Sequence, residues 1–240
     1  MRADQYLVTH GHYESRARAQ SAIKAGKVTV DGAVVRKASQ TIPIAAVVNA
    51  EPEHPWVSRG GIKLAYALDT FNFDPTGLNC LDVGSSTGGF TQVLLANGAA
   101  HVCAVDVGRE QFHNELRGHP KITLLESQDA RGLTSELIGF SPDLIVCDAS
   151  FIALSKVLAV PLSLAAKGAS LISLVKPQFE VGRDGIGRGG LVKDNSLALA
   201  SVAQVKAWLD SIGWAIEGEG LSPIKGGSGN VEYLLKASLR

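Results

Sequence analysis

The chain of 240 residues has the composition of a folded protein, with 45% apolar and 19% charged residues. Its 23 basic and 23 acidic side chains balance to a formal net charge of zero. These values exclude a disordered tail, a collagen-like repeat and a disulfide-rich scaffold. The length allows one large domain, or a medium domain with a small one attached to it.

The cysteines and the N-terminal segment indicate a reducing compartment. Cys80, Cys103 and Cys147 lie far apart in apolar runs, so they are expected to be reduced core residues. No histidine stands at zinc-ligand spacing from them, and no metal is predicted. The N-terminus lacks the apolar core of a secretory signal, and no apolar run is long enough to span a bilayer. The sequence therefore predicts a cytoplasmic protein without a membrane partner.

Basic residues are concentrated in the first fifty positions, which hold seven Lys or Arg and three Asp or Glu. By itself this excess fits either a module for a polyanion or an ordinary solvated surface. A helix is predicted over 15–24, with Gly26 after its end. Strands 27–30 and 33–35 follow as a hairpin around the turn Asp31-Gly32.

This helix and its G-K-V-x-V-D-G hairpin resemble the S4 RNA-binding module. The resemblance implies a small α+β domain over 1–50 that recognises a shaped RNA through its phosphates. Residues 51–58 contain two prolines and are predicted to be a linker. The residues expected to contact RNA are Arg2, Arg16, Arg18, Lys24, Lys27, Arg36, Lys37 and, in the next domain, Arg59.

Apolar strands alternate with amphipathic helices in the rest of the chain. This alternation predicts an α/β domain over 59–240, with a Rossmann-like seven-stranded sheet covered by helices on both faces. The last two strands are joined by the turn 226–230 and are expected to form an antiparallel edge. The predicted strands are 79–83, 101–107, 122–126, 143–148, 170–176, 214–219 and 231–238. The predicted helices are 61–71, 89–97, 110–117, 154–166 and 195–212.

A glycine-rich loop follows the first strand of the predicted sheet, and its spacing differs from the dinucleotide fingerprint and from the P-loop. Ligands of such sheets bind beyond the carboxyl ends of the strands. There Asp106 is placed for ribose hydroxyls and Asp129 for an adenine amino group, although each aspartate alone also fits a helix N-cap. The loop D-V-G-x-x-x-G-G-F resembles that of S-adenosylmethionine-dependent methyltransferases. The residues expected to contact this cofactor are Gly84, Ser85, Ser86, Thr87, Gly88, Gly89, Phe90, Asp106, Asp129 and Asp148.

Four charged residues form the candidate catalytic set: Lys63, Asp148, Lys176 and Glu232. A lysine that ends a buried strand, as Lys176 does, needs a carboxylate or a ligand as its partner. The order Lys-Asp-Lys-Glu resembles the tetrad of FtsJ-type ribose 2′-O-methyltransferases. The alternative interpretation is that these residues form ordinary surface ion pairs. This alternative is stronger for Glu232 than for Lys176 and Asp148. Lys176 would act either as a cation that stabilises an oxyanion or as a base, and the sequence leaves both roles open.

Motifs along the whole chain, among them S-R-G-G-x-K-L, D-x-S-F-I and L-V-K-P-Q-F-E, resemble those of the TlyA family. The resemblance implies S-adenosylmethionine as cofactor and 2′-O-methylation of cytidine in ribosomal RNA or a ribosomal subunit. It implies 23S rRNA as the first target and 16S rRNA as a second candidate. A monomer is favoured. One departure is His54-Pro-Trp-Val57, which stands where better-known members carry Arg-x-Trp-Val and leaves no arginine for an interdomain role.

Three other functions compete with this interpretation. The first is an S4-containing RNA-binding protein without catalysis, which the intact set of four charged residues disfavours. The second is a membrane-active haemolysin, the other label used in the family, and no basic amphipathic helix of membrane type supports it. The third is an NAD-dependent oxidoreductase, which the spacing of the glycine loop disfavours.

Overall fold

Two units make up the fold, Met1–Pro55 and Trp56–Arg240, and the computed structural model describes all 240 residues. The first unit contains two helices, α1 (Ala3–Thr9) and α2 (Arg16–Lys24). Its antiparallel sheet has the order β2-β1-β3 and consists of β1 (Val28–Val30), β2 (Ala33–Val34) and β3 (Val48–Ala50). The predicted helix and hairpin are present, whereas α1 and β3 add elements that no sequence pattern indicated.

A buried carboxylate joins the two helices of the first unit. Asp4 on α1 is fully buried and accepts hydrogen bonds from Arg16 at 2.8 Å, Gln20 at 2.8 Å and Arg2 at 3.1 Å. The hydrogen bonds from Arg2, Arg16 and Gln20 hold the pKa of the Asp4 carboxyl well below its ordinary value. Two of the eight basic residues predicted to contact RNA therefore also hold this unit together.

The second unit is built on a seven-stranded mixed sheet of order β6-β5-β4-β7-β8-β10-β9. The five strands β4 to β8 are parallel, and β10 lies antiparallel between β8 and β9. The strands are β4 (Asn79–Val83), β5 (His101–Val105), β6 (Ile122–Leu125), β7 (Leu144–Cys147), β8 (Ser170–Val175), β9 (Trp214–Leu221) and β10 (Tyr233–Leu239). The α/β fold class and the seven strands are confirmed.

Helices cover both faces of this sheet, and two separate apolar clusters fill the space between helices and strands. The central strand β7 is buried along its whole length, as expected for a strand covered on both faces. The helices are α3 (Arg59–Thr70), α4 (Gly89–Ala96), α5 (Ser135–Ile138), α6 (Leu154–Val157), α7 (Ala159–Ser163), α8 (Pro177–Glu180) and α9 (Asn195–Ser211). Short 3-10 turns lie at Ala130–Gly132, Arg183–Gly185 and Arg188–Gly190.

The helix predicted over 110–117 is wrong, because this segment consists of turns. Glu110 has a left-handed backbone with a φ of 55°. The backbone N–H groups of Gln111 and Phe112 donate to the carboxylate of Glu126 at 2.9 and 3.1 Å. Tertiary hydrogen bonds thus replace the helical ones, and the apolar spacing that predicted a helix serves a small cluster around Phe112 instead.

The helix predicted over 154–166 is present as two short helices, α6 and α7. Pro161 has no N–H to donate to the carbonyl of Val157, which removes one of the hydrogen bonds that a continuous helix needs there.

The three cysteines are buried and free, and burial raises the pKa of each thiol to about 12. None of the helices is both long and apolar enough to cross a lipid bilayer.

Candidate active site

A cavity of about 460 Å³ opens at the carboxyl ends of the parallel strands of the second unit. Its wall is formed by the segments that follow β4, β5, β6 and β7. Parallel α/β sheets bind their ligands at this edge. Five of the ten residues predicted to contact the cofactor lie in this wall: Gly84, Ser86, Asp106, Asp129 and Asp148.

Asp106 is fixed at the end of β5 by backbone donors. One of its carboxylate oxygens accepts the N–H of Ser86 at 2.8 Å, and the other accepts the N–H of Gly108 at 2.7 Å. Gly84 has a φ of 80°, and a Cβ there would lie only 3.0 Å from the Cα of Ala149. The glycine therefore lets the loop after β4 approach the loop after β7, and the Asp106 carboxylate is held in the cavity wall between backbone donors.

Asp129 caps a 3-10 turn and also lies in the cavity wall. As the cap, it accepts the N–H of Arg131 at 2.9 Å. Its carboxylate forms an ion pair with the Arg131 guanidinium at 2.6 Å. The hydrogen bonds from Arg131 lower the pKa of Asp129 to about 2, so the group is an anion at neutral pH.

The other five residues of the predicted cofactor set, Ser85, Thr87, Gly88, Gly89 and Phe90, lie outside the cavity wall. Gly88 precedes α4 with a φ of 91°, and a Cβ there would meet Leu116 at 2.7 Å and Phe112 at 2.8 Å. A Cβ on Gly89 would collide with the Ser58 hydroxyl in front of α3. Phe90 is buried in the core. The glycine pair therefore allows α4 to pack closely against Phe112, Leu116 and Ser58.

The four residues of the candidate catalytic set come together in space. Lys63 Nζ lies 2.6 Å from Glu232 Oε2 and 3.4 Å from both carboxylate oxygens of Asp148. Lys176 Nζ lies 2.7 Å from Asp148 Oδ1. The side chains are 9%, 17%, 8% and 3% exposed for Lys63, Asp148, Lys176 and Glu232. This burial does not fit the alternative of ordinary surface ion pairs, which are largely solvated.

Lys176 ends its strand with its ammonium group surrounded by acceptors. Besides Asp148 Oδ1, its Nζ donates to the backbone carbonyl of Asp148 at 3.0 Å and to Ser150 Oγ at 2.9 Å. A protonated lysine has three N–H donors and no acceptor. Three acceptors around one nitrogen are the environment of an ammonium ion, which favours a cation over a neutral base.

A second buried carboxyl, Asp82, lies on β4 beneath the glycine-rich loop. It is fully buried, and its Oδ2 accepts the Thr91 hydroxyl at 2.7 Å, while its Oδ1 has no hydrogen-bond partner. Burial raises the pKa of Asp82 to about 7, and the neighbouring charges of Asp148 and Asp106 add to this effect. The motif L-D-V-G contains Asp82, but only the fold reveals that this carboxyl is shielded from water.

The basic residues predicted to contact RNA differ in how far they are engaged within the protein. Arg59, at the start of α3, donates to the carbonyl of Lys225 at 2.9 Å. Lys27 forms an exposed ion pair with Glu51 at 3.3 Å, and Arg18 is partly buried. Lys24, Arg36 and Lys37 are exposed and form no ion pair within the protein.

Several residues of the cavity wall were not among the predicted site residues. Ser150 and Phe151 follow Asp148 directly, and Phe151 is 90% exposed with a φ of 67°. Gln111 and Gln128 also line the cavity. The motif D-x-S-F-I marks the first two residues, but nothing in its spacing indicates which side chain faces the cavity. No group of three or more His, Cys, Asp or Glu side chains is arranged to hold a metal ion.

Comparison with known proteins assigns the two units to families. The FtsJ-like methyltransferase model matches residues 56–239, and the S4 domain model matches residues 1–48. The 16S/23S rRNA (cytidine-2′-O)-methyltransferase TlyA of Mycobacterium tuberculosis is 46% identical over 98% of this chain and 88% of its own. The chain belongs to the TlyA family.

Two further similarities support membership of the TlyA family. The 23S rRNA (cytidine-2′-O)-methyltransferase TlyA of Campylobacter jejuni is 42% identical over 74% of this chain and 69% of its own length. A solved structure from Streptococcus thermophilus that carries the name hemolysin superposes with a TM-score of 0.78 at 34% identity. The superposition covers 100% of this chain and 88% of that one. The expected family is thus confirmed.

Packing explains one motif that this chain shares with the TlyA family. In S-R-G-G-x-K-L, a Cβ on Gly61 would collide with the ring of Trp56, so the glycine leaves room for that ring against α3. Ser58 lies at the N-cap of the same helix and touches the position of Gly89 on α4. The motif therefore sets how closely α3 and α4 pack, and through α3 it sets where Lys63 lies.

Proposed function

We propose that this chain transfers a methyl group from S-adenosylmethionine to the ribose 2′-hydroxyl of a cytidine in ribosomal RNA. The observation that carries the proposal is the Lys176 ammonium, held by Asp148 at 2.7 Å beside a cavity at the carboxyl ends of the strands. Membership of the TlyA family supports the substrate class.

The residues of the cavity wall fit an adenosyl cofactor. Asp106 and Asp129 present carboxylates, which accept hydrogen bonds from ribose hydroxyls and from an adenine amino group. Gly84 keeps the backbone free of a side chain at the point where the loops after β4 and β7 meet. When bound, S-adenosylmethionine supplies a methyl group on a cationic sulfur, and the C–S electron pair returns to sulfur as the methyl passes to oxygen.

Lys176 acts in this proposal as an electrostatic stabiliser. A sugar hydroxyl becomes a good nucleophile as it acquires alkoxide character, and a nearby ammonium stabilises that negative charge. Asp148 keeps Lys176 oriented through its carboxylate and its backbone carbonyl. Lys63 also contacts the Asp148 carboxylate at 3.4 Å, and Lys63 is itself paired with Glu232 at 2.6 Å. The hydroxyl proton leaves to water at the open cavity.

The N-terminal unit captures the RNA in this proposal. The S4 match over residues 1–48 and the exposed cations Lys24, Arg36 and Lys37 support this role. Positive charges of this kind bind phosphates and release counterions, so binding strength depends on salt. The names of the relatives support 23S rRNA as the first target and 16S rRNA as the second, with the chain acting on RNA or subunits in the cytoplasm.

The test is methyl transfer from radiolabelled S-adenosylmethionine to ribosomal subunits taken from cells that lack the gene. Digestion to nucleosides and mass spectrometry then identify the product. We expect 2′-O-methylcytidine, formed only with the purified chain present. Methylation of a base instead of a ribose, or no transfer to either subunit or to naked ribosomal RNA, would overturn the proposal.

A further inference from the structure

Ser150 connects the lysine of the catalytic set with the cavity. It lies two residues after Asp148, is exposed in the cavity wall, and accepts a hydrogen bond from Lys176 Nζ at 2.9 Å. Its place between the ammonium and the open cavity is where a sugar hydroxyl has to arrive.

Three oxygens crowd the ammonium group of Lys176. Its Nζ forms an ion pair with Asp148 Oδ1 at 2.7 Å, and it donates hydrogen bonds to the Asp148 carbonyl at 3.0 Å and to Ser150 Oγ at 2.9 Å. An ammonium group has only three N–H donors. A substrate oxygen that binds Lys176 Nζ therefore competes with these three oxygens.

The three acceptors are not equally replaceable. Asp148 Oδ1 belongs to a carboxylate, so its Coulomb attraction to the ammonium at 2.7 Å exceeds that of a neutral oxygen. The Asp148 carbonyl belongs to backbone fixed behind β7. Ser150 Oγ is neutral, sits on a rotatable bond and faces the cavity. The hydrogen bond to Ser150 is thus the one that a substrate oxygen displaces at the lowest cost.

The serine hydroxyl also has its own proton to donate. Within the protein its oxygen accepts from Lys176, and no protein acceptor lies in hydrogen-bond range of its O–H. The adjacent Phe151 has a left-handed φ of 67° and turns the chain at this point, which fixes the backbone of Ser150 at the cavity edge. The O–H is therefore available to an oxygen that enters the cavity.

We infer that Ser150 is a catalytic residue: its O–H donates to the 2′-oxygen of the target ribose, and that oxygen replaces Ser150 Oγ as a hydrogen-bond acceptor of Lys176 Nζ. The two donors together stabilise the alkoxide character of the oxygen, as a pair of oxyanion-hole donors does. No covalent bond to Ser150 forms or breaks. The inference rests on the proposed function, because it assumes a sugar hydroxyl as the methyl acceptor.

The test compares Ser150→Thr, which keeps a hydroxyl, with Ser150→Val, which has the shape of threonine without it. Methyl transfer is measured on ribosomal subunits from cells that lack the gene, together with the Kd for S-adenosylmethionine and the thermal midpoint. We expect Ser150→Val to lose about 10- to 100-fold in kcat, the effect of removing one donor to a reacting oxygen. The KM for subunits, the Kd and the midpoint should stay as in Ser150→Thr, which retains most of the activity.

The outcomes separate this inference from the proposed function. Equal kcat values for the valine and threonine variants would overturn the role of the hydroxyl, and so would a loss confined to the Kd for S-adenosylmethionine. If both variants lose activity equally while they remain folded, shape rather than hydrogen bonding matters and the inference fails. If the unmodified chain binds S-adenosylmethionine but methylates no ribose, the proposed function fails first.

Discussion

Lys63 and Glu232 are 169 positions apart in the chain, yet their Nζ and Oε2 atoms lie 2.6 Å apart in a buried ion pair. The pair joins the first helix of the larger unit to the start of β10. Because Lys63 also contacts Asp148 at 3.4 Å, the acidic partner of Lys176 is paired with two lysines. The position of the proposed catalytic ammonium thus depends on residues from four separate parts of the chain.

Replacement of Lys176 by alanine should abolish methyl transfer and leave cofactor binding nearly intact. The ammonium is the proposed stabiliser of the reacting oxygen, and loss of one such donor lowers kcat by about 100-fold or more. Lys176 is not part of the cavity wall that Asp106 and Asp129 form. Calorimetric titration with S-adenosylmethionine and the subunit methylation assay measure the two effects separately.

The matched control for that variant is Lys167→Ala, which removes an exposed lysine in the loop before β8. This control should keep full activity. Substantial turnover by Lys176→Ala, accompanied by lost cofactor binding, would assign Lys176 to the cofactor rather than to the reacting oxygen.

Replacement of Glu232 by glutamine should lower both stability and activity. The change leaves the buried Lys63 with one carboxylate partner fewer, and breaking a buried ion pair costs on the order of 3 kcal/mol. The released Lys63 then holds Asp148 less firmly, so kcat also falls. Denaturant unfolding and the methylation assay measure the two effects.

The control for Glu232 is the ion pair of Lys206 and Glu219, in which both side chains are 38% exposed at a distance of 2.8 Å. Surface pairs contribute less than about 1 kcal/mol, so Glu219→Gln should change stability little. Equal and small losses in the two variants would show that burial gives the Lys63–Glu232 pair no special weight.

Replacement of Lys24, Arg36 and Lys37 by glutamine should weaken RNA binding without changing the fold. Each lost phosphate contact reduces the slope of log K against log salt by about 0.7 to 0.9. Filter binding to ribosomal subunits at several salt concentrations measures that slope. The exposed Lys121 and Lys167 of the larger unit provide the control pair. An unchanged slope in the triple variant would remove the N-terminal unit from the proposed RNA interface.

The buried carboxyl of Asp82 should make the protein less stable as the pH rises from about 4 to 7. Its pKa is raised to about 7 in the folded protein, mainly by burial, whereas an unfolded aspartate titrates near 4. The protonated form is therefore favoured by folding, and its contribution is complete below pH 4 and lost as the pH approaches 7. The expected difference is on the order of 4 kcal/mol.

Denaturant unfolding of the unmodified chain and of Asp82→Asn across this pH range tests the prediction. The asparagine variant carries no titrating group at this site, so its stability should depend less on pH. Thr91→Val is the second variant, because it removes the hydroxyl group that donates a hydrogen bond to the Asp82 carboxyl. Parallel pH profiles for the unmodified chain and Asp82→Asn would contradict a raised pKa.

Much of the larger unit could be predicted from sequence because its strands are continuous apolar runs and its charged residues stand at their ends. Lys176 and Asp148 follow β8 and β7 directly, so a parallel sheet brings them to one edge without further information. To predict that Glu232 lies near these residues, one also had to know that β10 runs antiparallel, which the turn at 226–230 indicated. Family resemblance added the order in which the four charged residues occur.

What could not be predicted depends on contacts between distant segments. The carboxylate of Glu126 accepts hydrogen bonds from the backbone N–H groups of Gln111 and Phe112, which replace the hydrogen bonds of the helix expected there. The close packing of Gly88 against Phe112 and Leu116, and of Gly89 against Ser58, involves segments that no local sequence pattern connects. Asp4 carries no local signal, because its partners lie up to 16 positions away.

The placement of β10 between β8 and β9 has a consequence for synthesis of the chain. Both neighbours are made before β10, so a nascent polypeptide that stops short of Tyr233 carries two unpaired strand edges. Open edges of this kind recruit other strands and promote aggregation. A product that stops before position 232 also lacks Glu232, so Lys63 loses its buried partner. Truncated molecules are therefore expected to aggregate or to be degraded rather than to accumulate as folded protein.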